Sequence, residues 1–131
     1  MIKLLLVEDD ANLSYIIQGG LEDMIGGYEV IIACNGKEGL EKYRQVKPDI
    51  IVADIEMPVM DGLNLTHRIK TDPMLKQLPV VLFSSLITDK LRHKGESVGA
   101  DDQISKPEVT QLAKRALALI KDRERAQAGQ A

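Results

Sequence analysis

Several short apolar runs in this sequence end in residues that do chemistry. Glu8, Asp9 and Asp10 follow Leu4-Leu5-Leu6-Val7, and Asp54 follows Ile50-Ile51-Val52-Ala53. Ser84 and Ser85 follow Val80-Val81-Leu82-Phe83, and Lys106 and Pro107 follow Gln103-Ile104-Ser105. Glu8, Asp9 and Asp54 make a set of three carboxylates. Like charges brought together need a cation or shifted proton affinities. Oxygen ligands without His or Cys favour Mg²⁺, Mn²⁺ or Ca²⁺. Lys106 adds a point positive charge and Ser84 a hydroxyl. Cation, ammonium and hydroxyl together suit the three oxygens of a phosphoryl group. A carboxylate such as Asp54 is able to take that group covalently. Each residue alone has a plainer reading, since acids in such loops are often helix caps, and Asp10 is assigned that role. Recurrence after successive runs is what points to one site.

For these residues to meet, the runs must be neighbouring strands. The runs at 4–7, 50–53 and 80–83 are continuous rather than alternating, as in strands of a parallel sheet covered on both faces, and Gln103-Ile104-Ser105 is a short further candidate. Tyr28 to Ala33, rich in β-branched residues, adds another strand. Helical spacing lies between them. Leu13, Ile16, Ile17, Gly20, Leu21 and Met24 recur at three and four, capped by Asp10 or Asn12 and ended by Gly26-Gly27. Further helices are predicted over 36–46, about 63–70 and about 89–98, the last ended by Gly99. Val109, Leu112, Ala113, Ala116, Leu117 and Ile120 form one face of a final helix, expected to fray near Arg125. A β-α unit repeated five times predicts a doubly wound parallel sheet with helices on both faces. In such a sheet the strand ends share one edge, where ligands bind at the point of strand-order reversal.

Composition limits the alternatives. The 131 residues predict one domain, with 44% hydrophobic and 28% charged residues. Seventeen Lys plus Arg against twenty Asp plus Glu give −3, which offers no bulk attraction to nucleic acid. Three Tyr, one Phe and no Trp argue against base stacking. The single cysteine, Cys34, follows a strand-like run and is read as a buried thiol. No run approaches the length of a membrane span and no signal peptide is recognised, so a cytoplasmic protein without membrane contact is expected.

The segments Leu5-Leu6-Val7-Glu8-Asp9-Asp10, Asp54-Ile55-Glu56-Met57-Pro58-Val59-Met60-Asp61-Gly62, Ser84-Ser85 and Ser105-Lys106-Pro107 resemble the receiver domain of two-component response regulators. The Asp-x-x-Met-Pro-x-Met-Asp-Gly stretch is the most specific of these. The resemblance covers about residues 1–125, with 126–131 read as a disordered tail. It implies a flavodoxin-like, CheY-like α/β fold: a five-stranded parallel sheet in the order 2-1-3-4-5 with five flanking helices. It implies that Asp54 accepts a phosphoryl group from a sensor histidine kinase or phosphotransfer protein. Mg²⁺ would be held by Asp9 and Asp54 directly, by Glu8 through water and by the Glu56 backbone carbonyl. Ser84 and Lys106 would each meet a phosphoryl oxygen. Pro107 would follow a cis peptide bond that aims Lys106, and Gly62 would permit the turn into the third helix. Met57 and Pro58 would shape that loop, with Met60 simply packed. The surface of the fourth helix, fifth strand and fifth helix would change on phosphorylation and meet a downstream protein. A monomer or weak homodimer is expected. Phe83 to Ile87, Lys94-Gly95-Glu96 and Gln103 to Glu108 are also similar, more weakly, to receivers of CheV-type chemotaxis coupling proteins.

One position departs from that pattern. Gln103 stands where the family usually has Tyr or Phe, three residues before the lysine, and is not expected to fill the same apolar slot. A degenerate receiver acting as a phosphorylation-independent binding module therefore stays open. So does a Mg²⁺-dependent phosphohydrolase, although Asp54-Ile55-Glu56 lacks the Asp-x-Asp of one large phosphatase class. Leu86 and Glu56 flank the site and bear on the lifetime of an aspartyl phosphate. His67 and His93 have no partner at metal spacing and are read as surface residues. Lys114, Arg115, Lys121, Arg123 and Arg125 tint the last helix basic, a solvated face, and Leu119 falls beside its core stripe.

Overall fold

The computed structural model describes residues 2–24, 28–57, 59–85, 87–106 and 108–129. Five strands, β1 (Ile2–Val7), β2 (Tyr28–Ala33), β3 (Ile50–Ala53), β4 (Val80–Ser84) and β5 (Asp102–Ser105), alternate with five helices. These are α1 (Ala11–Met24), α2 (Gly36–Val46), α3 (Gly62–Thr71), α4 (Asp89–Ser97) and α5 (Val109–Gly129). Every strand pair is parallel and the order is β2-β1-β3-β4-β5, as expected.

The continuous apolar runs follow from burial on both faces. Along β1, Leu4 and Leu6 enter one core layer with α1 and α5, while Leu5 and Val7 enter the other with α3. Phe83 and Leu112 are fully buried in the first layer, and Leu65 and Ile69 in the second. Each such side chain contributes about 1.5–3 kcal/mol relative to exposure. Tyr28 joins the first layer, and its hydroxyl donates to the Ala113 carbonyl at 3.0 Å. Burial pushes that phenol's pKa up and keeps it neutral.

Helix starts are set by side-chain caps. Asp10 accepts from Leu13 N, Asn35 from Glu38 N, Asp61 from Asn64 N and Thr88 from Leu91 N, at 2.7–3.2 Å. Of the two caps expected for α1, Asp10 is the one used. The outer edge of β2 is plugged by neighbouring helices. Val30 N–H donates to Glu22, its carbonyl accepts from Gln18, and the Ile32 carbonyl accepts from Lys42. Such plugging denies the edge strand to other chains.

Two expectations are corrected. The last helix does not fray at Arg125 but continues to Gly129, so 126–129 are helical rather than a disordered tail; Ala126, Gln127 and Ala128 are good helix formers. Gln130 and Ala131 lie outside the described residues, as do Gly26 and Gly27. Cys34 is exposed, not buried, because it sits one residue past the end of the edge strand β2. Its thiol donates to Glu38 Oε2 at 2.6 Å, and that hydrogen bond raises the thiol's pKa. Gln103, whose exposure the sequence left open, is 7% exposed in a space that Gly95 of α4 leaves open. Leu119 packs partly buried against the first core layer.

Candidate functional site at the β1–β3 edge

The strand order reverses beside β1. The chain leaves β1 for β2 on one side and returns through α2 to β3 on the other. A crevice opens at such a point, at the C-terminal ends of the strands. Val7 stands opposite Ala33 and Ala53, so the next residues of β1 and β3 leave the sheet side by side. Backbone bonds carry the ladder past the strands: Glu8 N donates to Ala33 O at 2.9 Å, Asp54 N to Val7 O at 3.0 Å and Lys106 N to Ser84 O at 2.9 Å. Main-chain bonds thus fix where Glu8, Asp54 and Lys106 stand at this edge.

Their side chains converge. Lys106 Nζ lies 2.8 Å from Glu8 Oε1 and 3.1 Å from Asp54 Oδ2. The Lys106, Glu8 and Asp54 side chains are 9%, 2% and 12% exposed, so solvent screens these pairs weakly. Ligand oxygens of Glu8, Asp9 and Asp54 all lie within 4.8 Å of one another. Two of these carboxylates contact the Lys106 ammonium, and Asp9 lies beside them. Burial, and the nearby Asp54 carboxylate, raise Glu8 from 4.5 to about 7 against the opposing pull of Lys106. Burial alone would lower Lys106, but hydrogen bonds to Glu8 and Asp54 outweigh it and its pKa is raised. Glu8 Oε2 is buried without a hydrogen-bond partner among the described residues. An orphaned buried carboxylate oxygen, in a crowded oxygen-only cluster with excess negative charge, is a donor set that fits a hard divalent cation.

Ser84 is buried at the end of β4, and Ser85 beside it is exposed. Glu56 is exposed in the loop after Asp54. Met57 and Met60 are buried in the second core layer, where Met60 packs on Gly36. Gly62 opens α3 through close approach rather than an unusual φ. A Cβ there would lie 2.1 Å from the Asp54 carbonyl oxygen, and Gly62 N donates to Ile55 O at 3.0 Å. His67 and His93 are exposed, away from the acidic group. Pro58, Leu86 and Pro107, with its expected cis bond, lie outside the described residues. The direct Lys106–Glu8 pair and the Gly62–Asp54 contact were not read from the sequence. Both depend on which side chains a shared edge brings within reach, for which spacing carries no signal.

A family model, Response regulator receiver domain, matches residues 4–117. The chain belongs to this family of two-component signalling proteins, with a CheY-like fold. It is 32% identical over 128 residues to the DNA-binding dual master transcriptional regulator RpaA of Synechocystis, covering 95% of this chain and 52% of that protein. It is 41% identical over 108 residues to a protein-glutamate methylesterase/protein-glutamine glutaminase of Syntrophomonas wolfei, covering 80% of this chain and 30% of that protein. The chain thus spans about half or less of the length of these relatives. Among solved structures it is similar to the Vibrio cholerae chemotaxis protein CheY4, with a TM-score of 0.82 at 28% identity, covering 91% of this chain and 98% of that one. It is also similar to the receiver domain of the Francisella response regulator 1452, with a TM-score of 0.83 at 28% identity and coverage of 93% and 98%.

Proposed function

We propose that this receiver is a phosphorylation-activated switch whose phosphoacceptor is Asp54. The observation that carries the reading is the packing of the Asp54 carboxylate against Lys106 within the acidic group of Glu8 and Asp9. An Asp54 oxygen forms the O–P bond as the P–N bond to a histidine of a kinase or phosphotransfer protein breaks. Lys106 Nζ, already against Asp54, moves its hydrogen bond to a phosphoryl oxygen. Ser84, at the end of β4, donates its hydroxyl to another. Glu8, Asp9 and Asp54, with the Glu56 carbonyl, would hold Mg²⁺, which when bound offsets charge between carboxylate and phosphoryl oxygens. Phosphorylation adds about −1.5 to −2 charge and new acceptor oxygens, enough to rearrange a nearby two-state element. The output surface is the face of α4, β5 and α5, read by another protein. Asp102 of β5 and Arg115 of α5 pair there at 2.6 Å. A cytoplasmic site of action goes with this reading.

Incubation with acetyl phosphate and Mg²⁺, followed by intact mass, tests it. One phosphoryl adduct is expected, absent in Asp54→Asn and absent with EDTA. No adduct and no beryllofluoride binding would support a phosphorylation-independent module instead. Steady release of phosphate from small phosphate esters would support a phosphohydrolase.

A further inference from the structure

Five polar or charged side chains are buried among the described residues. Glu8 and Ser84 stand at the acidic edge. Ser14 and Thr66 donate to carbonyls at the start of their own helices, Asp10 and Gly62. Gln103 differs, because it reaches from β5 to a separate helix. Its Nε2 donates to the Arg92 carbonyl of α4 at 2.8 Å. Its carboxamide lies flat on the α4 backbone at Gly95: a Cβ there would meet all three carboxamide atoms at 2.5–2.6 Å. Its Oε1 is buried with no hydrogen-bond partner among the described residues.

The composition of α4 makes this contact weighty. The helix reads Asp-Lys-Leu-Arg-His-Lys-Gly-Glu-Ser, with Leu91 its only large apolar residue. Gly95 is its one buried residue, and Leu91 is only partly buried against the core. A helix that is polar nearly all round gains little from apolar burial. Its seating then leans on the hydrogen bond and close fit that Gln103 provides. That fit has a weakness of its own. One carboxamide atom is bonded and the other is orphaned, so the closed position is tight in shape but not fully satisfied.

We propose that Gln103 is a positioning residue that tethers α4 to the sheet, and that α4 loosens as a unit when the carboxamide leaves Gly95. The tether lies close to the acidic edge: Gln103 faces Leu82 across β4 and β5, two residues before the Ser84–Ser105 pair. That release accompanies modification of Asp54 rests on the switch reading above, whereas the tether itself does not.

Amide hydrogen exchange of the unmodified full chain tests the tether in Gly95→Ala and Gln103→Asn. The Ala methyl would evict the carboxamide, and Asn is one methylene too short to reach Arg92 O. About tenfold loss of protection confined to α4 amides is expected in both, the equivalent of one hydrogen bond. Gly95→Ala separates tethering from generic helix weakening, because Ala improves intrinsic helicity. Unchanged or increased α4 protection in Gly95→Ala overturns the tether. So does protection lost equally from β1 and β3, which would make the contact general core support. Beryllofluoride titration with Mg²⁺ tests the link to Asp54. About fivefold or more tighter binding by Gly95→Ala is expected from reciprocal coupling. Equal binding by both proteins overturns the link. No binding by the wild type overturns the switch reading and leaves the exchange result to judge the tether.

Discussion

Replacing Lys106 with Met keeps most of the side-chain volume and removes the ammonium. That ammonium is 2.8 Å from Glu8 and 3.1 Å from Asp54, among nearly buried side chains. Removing one member of a buried pair costs about 3–5 kcal/mol in general. Here Glu8 has an escape, because it can take a proton. It titrates at about 7 in the folded protein against 4.5 when free. A carboxyl raised in this way contributes stability that is complete below 4.5 and is lost as pH climbs through about 7. In the wild type that decline ends near neutrality, where Glu8 ionises beside Lys106. In Lys106→Met nothing favours ionisation, so Glu8 stays protonated further up. Its decline continues past neutrality at about 1.4 kcal/mol per pH unit. The two curves therefore diverge. Near about pH 5 Glu8 is protonated in both proteins and the remaining loss comes from Asp54. By about pH 8 the destabilisation should have grown by roughly 1–2 kcal/mol. Urea unfolding of both proteins in EDTA, across this range, reads the difference from the midpoints at constant slope. A destabilisation that is constant, or that shrinks toward alkaline pH, would refute the coupling of Glu8 to Lys106.

Two further outcomes follow from close contacts. Gly62→Ala places a methyl 2.1 Å from the Asp54 carbonyl oxygen, where backbone must give way. A loss of about 1–3 kcal/mol is expected in thermal or urea unfolding despite better helix propensity, with slower labelling of Asp54; wild-type stability would refute the contact. Cys34 is exposed but held protonated by Glu38, so its alkylation at neutral pH should be slow and should quicken in Glu38→Gln. Equal rates in the two proteins would remove Glu38 as the cause.

Much of the site was legible because it is made of residues that end strands. Continuous apolar runs signal strands buried on both faces, and parallel strands put their ends on one edge. Glu8, Asp9, Asp54 and Lys106, which the structure brings together, could therefore be grouped without coordinates. The exposure of Cys34 and the burial of Gln103 were not legible for a common reason. Whether a residue at or beyond an edge strand is inside depends on what covers that edge. Ala33 closes β2 and leaves Cys34 outside, whereas Gly95 opens a space that takes the Gln103 carboxamide.

Residue type and order by themselves determined the β-α alternation, the strand and helix positions and the edge that carries the acids. Those follow from local periodicity, caps and the chirality of parallel crossovers, which act at short range along the chain. Only the tertiary structure decided that Lys106 bridges Glu8 and Asp54, that Glu8 is driven to about 7 and that α4 rests on Gln103. These are matters of distance and desolvation between residues up to 98 positions apart. Such quantities exist only once the sheet has brought its edges together.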